Sequence, residues 1–264
     1  MSNGQLSGAW NFRDIAETTG IRPGKFFRSS ELSRLDDDGR EAFRRLGITD
    51  VADLRSPQEL ERRGSGAVPD GVAIHLLPFP DLSNTTAEAP HETSWQKMMT
   101  EKVDDEDVED AAERFMTGEY EKFPVLAGAQ RAVRQVFSLL SAGRPVITHC
   151  FAGKDRTGFT VAVVLESIGV PRDAVLADFL RSNDAVESLR ERIMESIVSR
   201  AGETPEIATF AEARLTNGVL GVREGYLATA HRVIAENYGD LDGFLRTAGV
   251  SEEDVARTRK ELLG

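Results

Sequence analysis

The feature that most constrains this 264-residue chain is one continuous passage from Pro145 to Ile168. Pro145-Val146-Ile147-Thr148 is a short apolar run that fits a buried strand. From Gly158 to Ile168 the chain is apolar nearly all round, through Phe159, Val161, Ala162, Val163, Val164, Leu165 and Ile168. That pattern describes a central helix with no solvated face. Gly169 and Pro171 are its stop signals. Strand and helix are joined by His149-Cys150-Phe151-Ala152-Gly153-Lys154-Asp155-Arg156-Thr157.

A buried strand delivers Cys150 to the carboxyl edge of a sheet, where ligands bind in open α/β architectures. The helix that follows presents unsatisfied N–H groups and a partial positive charge at its start. Backbone amides from Phe151 through Ala152 to Arg156 can therefore curl around an anion, with Gly153 supplying a position free of side-chain obstruction. Arg156, six residues after the cysteine, can return a planar fork to the loop centre. The same surroundings favour a thiolate at Cys150, and the Thr157 hydroxyl can reach the sulfur. One loop thus combines a nucleophile, its activation and charge stabilisation for a phosphoryl group. Standing alone, a single cysteine reads as a small packing residue; its neighbours point elsewhere.

The rest of the chain predicts an α/β fold with extra C-terminal helices. Strands are expected at Lys25 to Arg28, Ile48 to Leu54 and Val72 to Leu77, and helices at Asp36 to Leu46 and Lys122 to Ala142. Residues 82 to 112 are rich in Thr, Ser, Asn and Ala and then acidic at Asp104 to Asp107. They read as a flap or as a solvated helix start. Thr204-Pro205 and Ser251 with Asp254 are helix-start signals. With no internal repeat or linker, residues 1–264 are expected to form one domain.

Charge narrows the partners. Forty-four acidic against 32 basic residues give a net charge of −12, which disfavours nucleic acid and stable membrane association. One cysteine excludes an internal disulfide and a cysteine-based zinc site. No apolar run spans a membrane and the start lacks secretory character, so a cytoplasmic protein is expected, with export possible only by a route without a signal peptide.

The string HCFAGKDRTG carries the His-Cys-x5-Arg-Thr signature. It resembles the bacterial branch of the protein tyrosine phosphatase superfamily that has lysine and aspartate inside the loop. Further matches are NFRDIA (11–16), FFRSSELSRLD (26–36), GITDVADLRS (47–56), HLLPFPD (75–81), FLRSND (179–184) and GVLGVREGYL (218–227). The resemblance implies a phosphotyrosine phosphatase-like fold with a central parallel sheet of four to five strands flanked by helices. It also implies helices that close as a lid, with 82–120 and about 185–225 as candidate segments, and no metal or cofactor. It implies broad action on phosphorylated proteins and lipids.

In such chemistry Cys150 attacks phosphorus, water releases the cysteinyl-phosphate, and an acid protonates the leaving oxygen. Asp155 and Asp81 compete for that last role. Flanking Lys154 and Arg156 favour an ionised Asp155 in the free enzyme, and a bound phosphate with a thiolate reverses that field. Asp155 is slightly favoured; an alternative is that it only shapes the loop. Lys154 either adds a cation at the mouth or faces solvent. Phe151 and Phe79 either line the pocket or pack in the core, and Phe115-Met116 stand in the same balance between lid and core. His149 tunes the cysteine or packs, Gly158 supports the loop, Asp53 and Arg55 hold structure, and His75 and His91 are ordinary residues. Rival functions are an inactive phosphate-binding module, a sulfur-transfer or arsenate-reducing enzyme, and a dedicated phosphoinositide phosphatase.

Overall fold

Five strands form one sheet in the order β1-β2-β5-β3-β4: β1 Arg13–Asp14, β2 Phe26–Ser29, β3 Asp50–Asp53, β4 Ala73–Leu76 and β5 Val146–His149. The computed structural model describes residues 6–79, 107–201 and 212–264. Asp81, His91, Thr204 and Pro205 lie outside them. Strands β2, β5, β3 and β4 run parallel, and the two-residue β1 pairs antiparallel with β2 at the edge. This short antiparallel strand is the one departure from the parallel sheet expected.

Side chains alternate across a strand, and that alternation builds the two faces of the core. Phe27, Val51 and Ile147 are register partners and share one face. They meet Leu32, Leu35, Phe43 and Ile48 beside helix α1, Asp37–Arg45. Phe26, Val146 and Ala52 face the other way, into a larger cluster with Phe159, Val163 and Phe137. β5 is covered on both sides, which is why its sequence shows no polar alternation.

Helix α1 starts where its charges dictate: the Asp36 side chain accepts from the Gly39 amide at 2.8 Å, and Arg44 and Arg45 close the last turn. Helix α2, Pro57–Arg63, has a full capping box in which Ser56 and Glu59 satisfy each other's backbone N–H. The expected helix from Lys122 to Ala142 is one helix, α4 Ala127–Ser141, which begins later than expected because a 3-10 turn at Phe123–Val125 separates it from the preceding helix α3, Val108–Lys122. Pro124 has no N–H to continue the ladder, so the chain turns there. The described end of the expected flap, 108–120, is regular helix, with the Asp107 side chain accepting from the Glu109 amide at 2.8 Å.

Helix α5, Asp155–Ser167, begins three residues before the expected Gly158, so Arg156 and Thr157 lie in its first turn. Helices α6, Arg172–Leu180, and α7, Val186–Ala201, follow, joined by a 3-10 turn at Arg181–Ala185. The chain ends in α8, Glu224–Tyr238, α9, Leu241–Ala248, and α10, Glu252–Leu263, the last with the expected Ser251–Asp254 capping box. Among the described residues no helix is long and apolar enough to cross a membrane.

Candidate active site

The carboxyl ends of β2, β3 and β5 lie on one edge, and Cys150 stands at that edge directly after His149. The cysteine is 2% exposed. Behind the loop, four successive carbonyls are held from outside. The Glu31 amide donates to Phe151 O at 2.9 Å. The Asn11 side-chain amide donates to Ala152 O and Gly153 O, each at 3.0 Å. Arg28 Nη2 donates to Gly153 O at 2.7 Å and Lys154 O at 3.3 Å. A trans peptide points its N–H opposite to its carbonyl. The amides of Ala152, Gly153, Lys154 and Asp155 are therefore turned away from these partners, the arrangement an anion nest requires.

Gly153 makes this turn at φ +68°, and a Cβ there would overlap the Ser29 carbonyl. Gly158 is needed for a different reason: a Cβ would come within 2.7 Å of the Phe179 ring. Arg28 is itself fixed by Asp178, which accepts from Arg28 Nη1 at 2.6 Å and from Arg13 Nε at 2.8 Å. Burial opposes the Asp178 carboxylate, but Arg28 and Arg13 outweigh it and hold the group below its ordinary range. Crowding has the reverse effect on Arg13, where burial and Arg28 lower the guanidinium to about 10.

Arg156 is buried and its end-on edge is occupied. Its Nη1 and Nη2 donate to Glu59 at 2.7 and 2.8 Å, and Nη1 also donates to Leu54 O at 3.3 Å. Burial disfavours the charged form, yet Glu59, then Cys150, raise the guanidinium above its ordinary value. Among the described residues its Nε–H makes no hydrogen bond with protein. The side-on edge, Nε with the second Nη2 proton, is left for two oxygens of an anion. Glu59 was not foreseen as a site residue, although Ser56-Pro57-Gln58-Glu59 is legible as a capping box; one carboxylate serves the helix end and the arginine together.

Lys154 does not face solvent. It is 5% exposed, and its Nζ donates to Val219 O at 2.8 Å, Gly221 O at 3.0 Å and Asp155 Oδ1 at 3.1 Å. Asp155 also accepts from the Tyr120 hydroxyl at 3.1 Å. Thr157 is buried and its hydroxyl has no hydrogen-bond partner among the described residues. His149 is buried, with Nδ1 3.1 Å from Cys150 O. Burial, against the pull of Asp53, pushes its imidazole below the ordinary range, so it is neutral at pH 7.

Phe151, in the loop itself, is half-buried, with Arg63 over its ring at 3.8 Å and Trp10 edge-on at 5.9 Å. Phe79 lies in the core, edge-on to Phe123 and Phe159. Met116 is buried in the same cluster, and Phe115 packs against it. Asp53 and Arg55 form a buried pair at 2.7 Å that continues to Glu31, and His75 pairs with Asp50. Among the described residues no group of acidic, histidine and cysteine side chains could hold a metal ion.

A strand, a run of loop amides turned away from the partners of their carbonyls, and a buried arginine held by Glu59 stand together beside Cys150, an arrangement suited to an anion. The chain belongs to the tyrosine phosphatase family, whose profile matches residues 4–264. It is similar to the triple specificity protein phosphatase PtpB of Mycobacterium tuberculosis, with 57% identity over 98% of this chain and 99% of that one. A Cupriavidus necator protein is 28% identical over 96% of this chain and 85% of its own. A tyrosine-protein phosphatase of Nostoc commune is 27% identical over 92% of this chain and 76% of its own.

Proposed function

We propose that this phosphatase hydrolyses phosphomonoesters through a phosphoryl group carried on Cys150, and that it accepts phosphotyrosine, phosphoserine/threonine and phosphoinositide substrates. The observation that carries the mechanism is the pairing of Cys150 with Arg156, whose end-on edge Glu59 occupies while its side-on edge is left for phosphate oxygens. The breadth is supported by the M. tuberculosis relative, named a triple specificity phosphatase, at 57% identity.

In the first step the Cys150 sulfur attacks phosphorus in line and the bond to the leaving oxygen breaks. Asp155 delivers a proton to that oxygen. The loop amides and Arg156 hold the equatorial oxygens while charge spreads over them. In the second step a water oxygen attacks phosphorus, the sulfur–phosphorus bond breaks, and Asp155 takes a proton from the water. Free phosphate leaves and the thiolate is restored. Asp155 is favoured as the acid because its carboxylate sits one residue from Arg156, in the first turn of α5. Lys154 serves the loop and the 219–221 segment; breadth of substrate does not depend on it as a second cation at the mouth.

The test measures turnover of a phosphotyrosine peptide, a phosphoserine peptide and phosphatidylinositol phosphates side by side, with Cys150→Ser as control. Turnover in all three classes, abolished in Cys150→Ser with phosphate-ester binding retained, is the expected result. Phosphotyrosine turnover alone would remove the broad reading, and unchanged turnover in Cys150→Ser would remove the mechanism.

A further inference from the structure

Tyr120 sits on α3, far in sequence from the loop, yet its hydroxyl reaches it. The side chain is fully buried. Its ring is stacked on Tyr226 at 5.6 Å, edge-on to Phe179 at 6.1 Å and tilted against Phe123 at 4.9 Å. A phenylalanine would fill the same space. A buried hydroxyl is costly unless it is bonded, and here the bond goes to Asp155 Oδ1. Three rings fix the direction of that donor, so it needs no reorganisation when charge appears on the carboxylate.

The Asp155 carboxylate is thus held between two anchored donors. Lys154 Nζ, 3.0 Å from Oδ2, is tied in turn to the Val219 and Gly221 carbonyls. Among the described residues the Asp155 charge also acts on Arg156 beside it and on Tyr226 of α8, while Arg28 and Cys150 act on Tyr120 itself. Burial, then the Asp155 charge, drive the Tyr120 phenol well above its ordinary range, so it is a protonated donor at neutral pH.

We propose that Tyr120 is a positioning residue for the reaction: its hydroxyl aims the Asp155 carboxyl at the leaving oxygen and stabilises the carboxylate once the proton has left. The proposal rests on the reading of Asp155 as the acid. A neutral donor bonds a carboxylate more strongly than a carboxylic acid. The Tyr120 bond therefore strengthens as the proton moves to the leaving group, which lowers the barrier rather than merely binding the ground state. In the second step the same bond holds the carboxylate ready for the proton from water.

Tyr120→Phe keeps the ring and deletes the donor. In pH profiles of kcat/KM with an aryl phosphate, its basic limb moves to higher pH by about one unit, because the carboxylate has lost a stabilising bond. On an Asp155→Asn background the same change has no further effect on rate. A Tyr120→Phe limb coincident with that of the parent, while Asp155→Asn loses the limb, overturns the proposal and leaves Asp155 as the acid. A basic limb that survives in Asp155→Asn overturns the acid assignment and the proposal with it.

Discussion

Glycine 153 carries more of the site than its size suggests. Its positive φ turns the loop, and its missing Cβ lets the loop lie against the Ser29 carbonyl. Replacement by alanine brings two penalties to one position: an αL conformation disfavoured for residues with a side chain, worth about 1–3 kcal/mol, and a backbone clash. Gly153→Ala is expected to lower the thermal midpoint and to reduce kcat/KM on an aryl phosphate by roughly ten-fold or more, since the amides no longer converge. Thermal unfolding and steady-state kinetics on one preparation check both. Arg156 shows the complementary economy: a buried cation needs a partner, and Glu59 supplies it at the two Nη nitrogens alone.

Elements far apart in the chain meet behind the loop through a few polar side chains. Asn11 and Arg13 stand near the start, Arg28 lies in β2 and Glu31 just after it, and Asp178 and Ser182 come from α6 and the turn after it. The short helical turn Asn217–Leu220 is joined to the site by Lys154. Next to it, Asn183 pairs with both the N–H and the carbonyl of Val222, at 2.7 and 3.0 Å. Arg223 then binds Glu109 and Glu113 on α3. Lys154→Met keeps the stem and deletes the ammonium, leaving the Val219 and Gly221 carbonyls without their donor. Amide hydrogen exchange across 217–222 is expected to quicken by roughly five-fold or more, while exchange in β5 stays unchanged. Equal protection in both proteins would show that this tether is not what orders the segment.

For the whole molecule, buried charge makes stability a function of pH, and the signs follow from two groups. His149 is buried neutral with its imidazole below the ordinary 6.5. As pH falls below that value the unfolded chain binds a proton that the native state refuses, so stability declines. Asp178 is held below the ordinary 3.8 by Arg28 and Arg13 against burial. Its contribution is present above that pH and lost as pH falls through the native value, in a second and more acidic window. Urea midpoints are expected to drop between pH 7.5 and 5.5, with a further drop below pH 4. His149→Gln is expected to shrink the first drop and leave the second.

The sequence alone determined the strand–loop–helix passage, because its signals are local. A both-face-buried strand and an all-round apolar helix are written in consecutive residues, and the Cys150 to Arg156 spacing follows from the loop's own geometry. The same holds for the cap at Ser251. Helix α5 begins earlier than its apolar run, since Asp155 and Arg156 enter the helix through loop geometry and their own long-range bonds. Only the tertiary structure decided where the charged pair inside the loop points. Lys154 and Asp155 answer to Val219, Gly221 and Tyr120, groups 35 to 67 residues away. No periodicity reports such contacts, because they depend on which helices the closed core brings to the carboxyl edge of the sheet.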